Sequence, residues 1–356
     1  MISRKNTKVV HIGGVPIGGG HPIAVQSMTN TDTRDVDNTV KQIHQLTEAG
    51  CEIIRVAVPD MEAAHAIKTI KKQISIPLVA DIHFDHRLAI ESIKNGADKL
   101  RINPGNIGSE DRIRQVALAA KSAEIPIRVG VNGGSLEKEI LNKYGGVSAE
   151  GLAESALRNI NLLEKFGFSN IVVSLKVSSV NLMLEAHKIL SQQVPYPIHV
   201  GLTESGTAYK GAIRSAAGLG ALLSLGIGDT MRVSLSGDPL NEIHAAKLIL
   251  SALGLRQFGV TVIACPTCGR TGINVTEIAE RVEEGLAHIK APITVAVMGC
   301  VVNGPGEARE ADIGIAGAKG VGVLFKKGEI VRNVNENEMI DVIIQEVCNL
   351  EEKFDS

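Results

Sequence analysis

Residues 77–105, PLVADIHFDHRLAIESIKNGADKLRINPG, contain the unit that decides the fold. A short run rich in Val, Leu and Ile (77–83) ends in polar residues, a helical stretch follows, and a second such run starts at Lys99. Strands that alternate with helices in this way predict parallel βαβ units. The segment therefore predicts a parallel sheet whose strands end in polar and charged side chains.

The same unit recurs from residue 22 to about residue 254. The strand runs are PIAVQSMT (22–29), IIRVAVP (53–59), PLVADIH (77–83), KLRINPG (99–105), PIRVGVN (126–132), NIVVSLK (170–176), PIHVGLTE (197–204) and TMRVSLSG (230–237). Eight successive units of strand and helix predict an α/β fold, a closed (β/α)8 barrel of the TIM type.

Three segments depart from this repeat. VVHIGGVPIGGG (9–20) predicts a hairpin that closes the barrel floor, and GGSLEKEILNKYGG (133–146) predicts an insertion at the barrel mouth. After about residue 258, short strands surround one helix, and a last helix ends the chain. We therefore expect a substrate-binding barrel at 1–258 and a small α+β domain at 259–356.

Composition excludes several classes of protein. The 356 residues carry a net charge of −2, no Trp and only 3% aromatic residues, which argues against a nucleic-acid partner. The first residues lack the apolar run of a signal peptide, and no stretch reaches 18 apolar residues. A cytoplasmic protein without a membrane segment is expected. The five cysteines are too few for a disulfide scaffold at this size, so clustered cysteines suggest metal or redox chemistry.

Cations concentrate at the carboxyl ends of the predicted strands, where barrel active sites lie. These ends carry Arg55, Arg101, Arg128, Lys176 and Arg232, together with Asp81, His83, Asn103, Asn132 and Glu204. One interpretation is that the cations pair inside the barrel with Asp81 and Glu204, Arg232 above all. Two carboxylates do not neutralise five cations, however, and arginine suits phosphate oxygens. Because Ser234 lies where barrels often bind phosphate, the pattern predicts a phosphorylated or diphosphate substrate.

Three cysteines form a second candidate site. Cys265 and Cys268 are separated by two residues, and Cys300 follows in MGCVVNGPGE. The pair alone also fits a redox disulfide or half a zinc site, but a fourth zinc ligand is not obvious. Thiolate-rich sites suit iron–sulfur clusters as well. From the residues alone, Cys51 and Cys348 are better explained as apolar filling, and Glu307 as a surface carboxylate.

These motifs resemble a known family. CPTCGRT and MGCVVNGPGEA follow a barrel that carries VQSMTNTDT, RVAVPD, LVADIHF, LRINPGN, RVGVN and VSLK. Over nearly the whole chain the sequence resembles the 4-hydroxy-3-methylbut-2-en-1-yl diphosphate synthases of the non-mevalonate isoprenoid pathway. The resemblance implies an oxidoreductase that opens the ring of 2-C-methyl-D-erythritol 2,4-cyclodiphosphate by two-electron reduction with loss of water.

The resemblance also implies roles for individual residues. A 4Fe-4S cluster would be held by Cys265, Cys268, Cys300 and Glu307, which reverses the interpretation of Glu307 as a surface carboxylate. Glu204 matches the acid/base residue. The residues that match the family's binding site for the cyclic diphosphate are Arg55, Arg101, Arg128, Asn132, Lys176 and Ser234. The chain has no nucleotide-binding motif, so its electrons are expected to come from outside, and the resemblance implies a ferredoxin or flavodoxin as the donor.

The chain path favours a homodimer with composite active sites. The eighth barrel helix runs from the mouth back to the floor, and a helix of about 15 residues spans roughly 22 Å. The second domain thus starts at the end of the barrel opposite the charged mouth. The short linker near 254–260 favours a cluster domain that serves the barrel of a neighbouring chain in a symmetric dimer.

Two other classes remain open at this point. The first is a zinc-stabilised barrel transferase or aldolase that acts on a phosphorylated or pterin-like substrate. The second is an iron or redox sensor that uses the barrel as a binding module. A colourless protein would favour the transferase, and a basic or aromatic contact surface would favour the sensor.

Overall fold

The chain divides into two units, one that ends at Arg256 and one that starts at Gln257. The computed structural model describes residues 2–300, 306, 309–318 and 320–352. The boundary expected from the sequence, between 258 and 259, lies close to this division. Each unit has its own sheet and is described by itself.

The first unit is a parallel (β/α)8 barrel, as the sequence predicts. Its strands are β3 Ala24–Met28, β4 Ile53–Ala57, β5 Leu78–Asp81, β6 Lys99–Ile102, β7 Ile127–Asn132, β8 Ile171–Lys176, β9 His199–Val200 and β10 Thr230–Met231. They pair in the order β8-β7-β6-β5-β4-β3-β10-β9, and every pairing is parallel. A parallel bridge between Val173 and Ile198 joins the two ends of this order and closes the ring.

Aspartate caps start three of the outer helices. Asp35, Asp60 and Asp85 each accept a hydrogen bond from a backbone N–H of the helix that follows, which satisfies a donor that the helix leaves free. The helices are α1 Val36–Glu48, α2 Met61–Lys71, α3 His86–Lys94, α4 Pro104–Ile107, α5 Glu110–Ser122, α6 Lys138–Tyr144, α7 Ala149–Lys165, α8 Val180–Gln193, α9 Ala208–Ser224 and α10 Leu240–Ala252. No helix in the described ranges is long and apolar enough to cross a membrane.

A hairpin closes one end of the barrel. Strands β1 (Val10–Ile12) and β2 (Val15–Ile17) pair antiparallel, as predicted for 9–20. Their buried side chains pack against Ala24, Ile53 and Val79, which lie at the starts of three barrel strands. The floor is therefore apolar, and the strand ends at the opposite mouth are left for polar chemistry.

The second unit is the α+β domain that the sequence predicts. Its sheet has the order β11 (Thr261–Ala264), β12 (Thr294–Met298), β13 (Ile313–Ala318), β14 (Val321–Lys326) and β15 (Glu329–Asn335). The first three strands run parallel, and the last three alternate in direction. Helices α11 (Val275–Gly285) and α12 (Met339–Glu351) bury Val282 and Ile343 in a core with the sheet.

Candidate active site

Charged side chains from neighbouring strands share the barrel interior near the mouth. Arg55, Arg101 and Arg128, on β4, β6 and β7, are each at most 2% exposed. Arg101 and Arg128 are register partners, and so are Asn132 and Lys176. Partners in a parallel sheet point to the same face, so the barrel brings these predicted site residues together.

Asp81 is the carboxylate at the centre of this group. It accepts a hydrogen bond from Arg101 Nη1 at 3.2 Å, and its other oxygen lies 3.8 Å from Arg55 Nε and 3.4 Å from His83 Nε2. Burial alone would raise the Asp81 pKa, but Arg55, then His83 and Arg101, hold that pKa well below its usual range. Asp81 therefore stays ionised and compensates part of the arginine charge.

Arg101 is held in place from three sides. Its Nη2 donates to Asn132 Oδ1 at 3.3 Å, in addition to the bond to Asp81. The backbone of Gly130 forms the third side, because a Cβ there would lie 2.7 Å from Arg101 Nε. A glycine at position 130 therefore allows the guanidinium to approach the backbone of β7 this closely.

Arg128 has no such compensation. It is fully buried, and none of its three guanidinium nitrogens has a hydrogen-bond partner within the part of the chain that the structure describes. Burial, reinforced by Arg55 and Arg101, lowers its pKa well below the usual value. Arginine nevertheless keeps its proton in proteins, so the charge is unfavourable unless an anion joins it. The mouth is therefore built to receive an anion.

Two lysines add to the positive charge. Lys176 lines an open pocket of about 760 Å³ together with Asn132 and Glu204. Lys99, which the sequence analysis missed, is completely buried and donates to Gln26 Oε1 at 3.3 Å. Burial and neighbouring arginines lower the pKa of both lysines. Lys99 was detectable, because it lies two residues before Arg101 and therefore on the same face of β6.

Arg232 is paired, but not with either of the carboxylates that the sequence suggested. Its Nε and Nη2 donate to Glu242 of α10, at 3.1 and 3.0 Å. Glu204 instead is exposed and lines the open pocket. Its backbone carbonyl oxygen, not its carboxylate, accepts a hydrogen bond from Arg214 Nη1 at 3.5 Å. The interpretation that Arg232 pairs with Asp81 or Glu204 is therefore wrong, because Glu242 in the first turn of α10 binds its guanidinium instead. Ser234 lines a small cavity with Arg232 and Lys176.

The backbone of Glu204 is strained. Its φ is 54°, in the left-handed region that residues with a side chain seldom adopt. Such conformations cost about 1–3 kcal/mol and cluster at functional sites. The strain makes Glu204 a candidate functional residue.

The cysteines lie at one edge of the second sheet. Cys265 directly follows β11, and Cys300 follows the adjacent parallel strand β12 by two residues. The Gly299 N–H donates to Cys265 Sγ at 3.1 Å, while Cys268 is exposed. Hydrogen bonds from Arg270 hold the Cys268 pKa below its usual value. Both features favour thiolates, the form that binds metals.

Among the described residues, no three His, Cys, Asp or Glu side chains are arranged to hold a metal ion. Glu307, the expected fourth ligand, and Asn303 lie outside the described residues. The five cysteines are free, so the pair at 265 and 268 is not a disulfide in this structure. Cys51 is buried, and Cys348 packs against the core of the second unit, as expected for apolar filling.

The fold and the site define a TIM-barrel protein with a cationic, anion-receptive mouth and a second unit that presents cysteines at a sheet edge. The models of one family match both units: the GcpE TIM-barrel domain over residues 7–247 and the GcpE protein C-terminal domain over 261–349. The chain belongs to the GcpE family.

Similar proteins of known name cover nearly the whole chain. One, from Caldanaerobacter subterraneus subsp. tengcongensis, is 61% identical over 97% of this chain and 97% of its own length. Another, from Clostridium tetani, is 58% identical over 98% of this chain and 100% of its own length. Both are named 4-hydroxy-3-methylbut-2-en-1-yl diphosphate synthase (flavodoxin).

Among solved structures, the dihydropteroate synthase of Stenotrophomonas maltophilia covers 68% of this chain and is itself covered to 97%. The TM-score is 0.50 and the sequence identity is 13%, so this similarity supports the barrel fold alone.

Proposed function

We propose that this protein is a reductase that converts 2-C-methyl-D-erythritol 2,4-cyclodiphosphate to 4-hydroxy-3-methylbut-2-en-1-yl diphosphate, with loss of water. The observation that carries this proposal is the buried guanidinium of Arg128, which has no hydrogen-bond partner among the described residues. A diphosphate supplies the anionic oxygens that this guanidinium lacks. The names of the relatives from C. subterraneus and C. tetani support this diphosphate chemistry over the zinc-stabilised transferase.

The barrel would bind the substrate and exclude water from its diphosphate. Arg128 and Lys176 would contact phosphate oxygens, because neither forms an ion pair with a carboxylate among the described residues, and Ser234 would donate its hydroxyl. Arg55 and Arg101 are shared with Asp81, so they would add hydrogen bonds with less net charge. Asn132 would keep the Arg101 guanidinium in its plane through the 3.3 Å bond between them.

Glu204 would act as the acid that protonates the departing hydroxyl. It lines the same pocket as Lys176 and Asn132, which supports this assignment. A positioned carboxylic acid typically contributes 10²–10⁴-fold to such a step.

A 4Fe-4S cluster on Cys265, Cys268, Cys300 and Glu307 would complete the site and supply one-electron redox chemistry when bound. The adjacent strand ends at Cys265 and Cys300, together with the Gly299 N–H bond to sulfur, fit thiolate ligands. The barrel would then be the substrate-binding domain and the second unit the cluster domain.

Metal analysis of protein purified without oxygen tests the cluster. We expect a brown protein with about four irons per chain, and a strong loss of iron in Cys300→Ser. Cys51→Ser is the matched control, because Cys51 is buried in the barrel and should leave the iron content unchanged. A colourless protein that contains zinc would contradict the proposal.

Flavodoxin is the proposed electron donor, because the names of those two relatives include it. Reduced flavodoxin should be oxidised only when the cyclic diphosphate is present. Reduced ferredoxin, the other expected donor, is the comparison, and a faster reaction with ferredoxin would reverse this assignment. Thiolate-bound iron and such a donor both favour the reducing environment of the cytoplasm.

A homodimer with composite active sites is also proposed. Helix α10 starts at the mouth end of the barrel and runs antiparallel to the strands, so Ala252 lies at the floor end. The second unit begins only a few residues later, at Gln257. Mixing Arg55→Ala chains with Cys265→Ser chains should restore part of the activity. Mixed dimers that form and stay inactive would contradict the proposal.

A further inference from the structure

Glu242 is a buried carboxylate at the mouth that the proposed reaction does not use. It lies in the first turn of α10, outside the ring of strands, and only 2% of the residue is exposed. Its side chain reaches inward to the end of β10. A buried carboxylate is stable only when hydrogen bonds and opposite charge replace its water.

Four donors meet this carboxylate. Oε1 accepts from Arg232 Nη2 at 3.0 Å and from the Leu235 N–H at 3.1 Å. Oε2 accepts from Arg232 Nε at 3.1 Å and from Ser27 Oγ at 2.9 Å. The two bonds to Arg232 form a parallel fork, the geometry that fixes a guanidinium plane best.

The fork leaves one edge of Arg232 for a ligand. With Nε and Nη2 engaged by Glu242, the donors that remain are the second hydrogen on Nη2 and those of Nη1, which has a weak bond to Met28 Sδ at 3.8 Å. The side chain of Arg232 is 18% exposed, whereas that of Glu242 is 3% exposed, so Arg232 is the member of this pair that a ligand at the mouth can reach.

The loop after β10 is fixed at two points. Glu242 holds the Leu235 N–H, and the Ser236 N–H donates to the Gly206 carbonyl at 2.9 Å. Ser234 lies between Arg232 and these anchors and lines a cavity with Arg232 and Lys176. One carboxylate therefore sets the positions of both an arginine and the serine loop.

We infer that Glu242 is a positioning residue for phosphate binding: it orients Arg232 and holds the Ser234–Ser236 loop so that both present their donors to one phosphate of the substrate. This inference rests on the proposed function, since it assumes a phosphate at the mouth. Glu242 also bonds to Ser27 on β3 and so joins the first and last strands of the barrel. The test must separate positioning from this contribution to stability.

Asp229 provides the matched control. It is also buried, and it accepts from Arg4 Nη2 at 2.9 Å, from Thr7 Oγ1 at 3.2 Å and from the Ile198 N–H at 2.9 Å. It lies before β10, at the floor end, whereas Glu242 acts at the mouth end. Both carboxylates therefore hold an arginine and a backbone N–H, but only one does so beside the proposed phosphate site.

The experiment is calorimetric titration of the full-length, cluster-loaded protein with inorganic diphosphate, together with thermal unfolding and iron content. Glu242→Gln should weaken diphosphate binding about 10-fold, since hydrogen bonds to charged groups are lost. Glu242→Gln and Asp229→Asn should lower the unfolding temperature by similar amounts. Asp229→Asn, however, should leave the affinity for diphosphate unchanged. Iron content should be unchanged in both variants.

Glu242→Asp is a second variant, which keeps the charge but is too short for all four contacts. It should weaken binding as well, and it carries the test if Glu242→Gln fails to fold. If both Glu242 variants bind inorganic diphosphate with an affinity within about twofold of that of Asp229→Asn, the inference is overturned. The proposed function would still stand. A wild-type protein that binds neither inorganic diphosphate nor the cyclic diphosphate would overturn both.

Discussion

The Arg101 guanidinium occupies the space in which any residue other than glycine at position 130 would carry its β-carbon. A Cβ at Gly130 would lie 2.7 Å from Arg101 Nε and 3.2 Å from its Nη2. Since Arg101 is also bonded to Asp81 and Asn132, it has little freedom to move aside. The absence of one methyl group on β7 therefore helps to set the position of a cation at the mouth.

Gly130→Ala should displace Arg101 and raise KM for the cyclic diphosphate about 10-fold, because a charge-assisted hydrogen bond is lost or misaligned. Circular dichroism should show a folded barrel. Gly220→Ala is the control, because a Cβ there, on α9, meets nothing within 4 Å. Unchanged kinetics in Gly130→Ala would show that the position of Arg101 does not matter for substrate binding.

Arg128→Met should stabilise the folded protein and weaken substrate binding. Removing a fully buried charge that has no hydrogen-bond partner in the described part of the chain should raise the free energy of unfolding by about 1–3 kcal/mol, while substrate affinity falls by about 100-fold or more. Arg101→Met is the comparison, because it deprives Asp81 of its 3.2 Å partner and should destabilise the protein by about 3 kcal/mol. Chemical denaturation and calorimetric titration measure both effects. Destabilisation by Arg128→Met would indicate that Arg128 has a structural partner.

Glu204→Gln should lower kcat about 100-fold and change KM little, since the amide keeps the shape of the side chain but has no acidic proton. The exposed Glu185 on α8 provides a control substitution, Glu185→Gln, with no expected effect. Steady-state kinetics with reduced flavodoxin separates the two constants. A large rise in KM with normal kcat would assign Glu204 to substrate binding instead.

His187 should make the barrel sensitive to acid. It is fully buried on α8, its Nδ1 donates to the Met183 carbonyl at 2.8 Å, and burial lowers its pKa to about 4. The unfolded chain, with a histidine pKa near 6.5, binds the proton first, so stability falls as pH drops from about 6.5 to about 4. The loss between pH 7 and pH 5 should be about 2 kcal/mol.

His187→Asn tests this prediction, because the amide can keep the bond to the Met183 carbonyl without titrating. Urea unfolding at pH 7 and pH 5 should show a smaller loss in the variant than in the wild-type protein. Equal losses would mean that the acid sensitivity arises from other groups, such as the buried His199 beside Arg128 and Lys99.

The barrel was predictable because eight short apolar runs alternate with helical stretches, the pattern of a (β/α)8 barrel. The mouth cations followed from the same pattern, since the strand ends of a parallel barrel meet at one rim. Lys99 was within reach of this reasoning, as it shares a strand face with Arg101.

Glu242 was not predictable in this way. An acidic residue in the first turn of a helix is common, because it complements the helix dipole, and most such residues are exposed. Only the three-dimensional path of the loop from Arg232 to α10 shows that this carboxylate turns inward. The spatial arrangement of the cysteines was not predictable for another reason. The three cysteines are visible in the sequence, but the position of Cys265 beside Cys300 depends on the pairing of β11 with β12.

The most direct test of the account is a turnover measurement under anaerobic conditions. The cluster-loaded protein, reduced flavodoxin and 2-C-methyl-D-erythritol 2,4-cyclodiphosphate are combined, and phosphorus NMR follows the products. The account predicts that the cyclic diphosphate signals are replaced by those of linear 4-hydroxy-3-methylbut-2-en-1-yl diphosphate, with two electrons consumed per molecule, and that Arg128→Met abolishes the change. A protein that holds four irons and binds the substrate, yet leaves the ring intact, would contradict the proposed reaction.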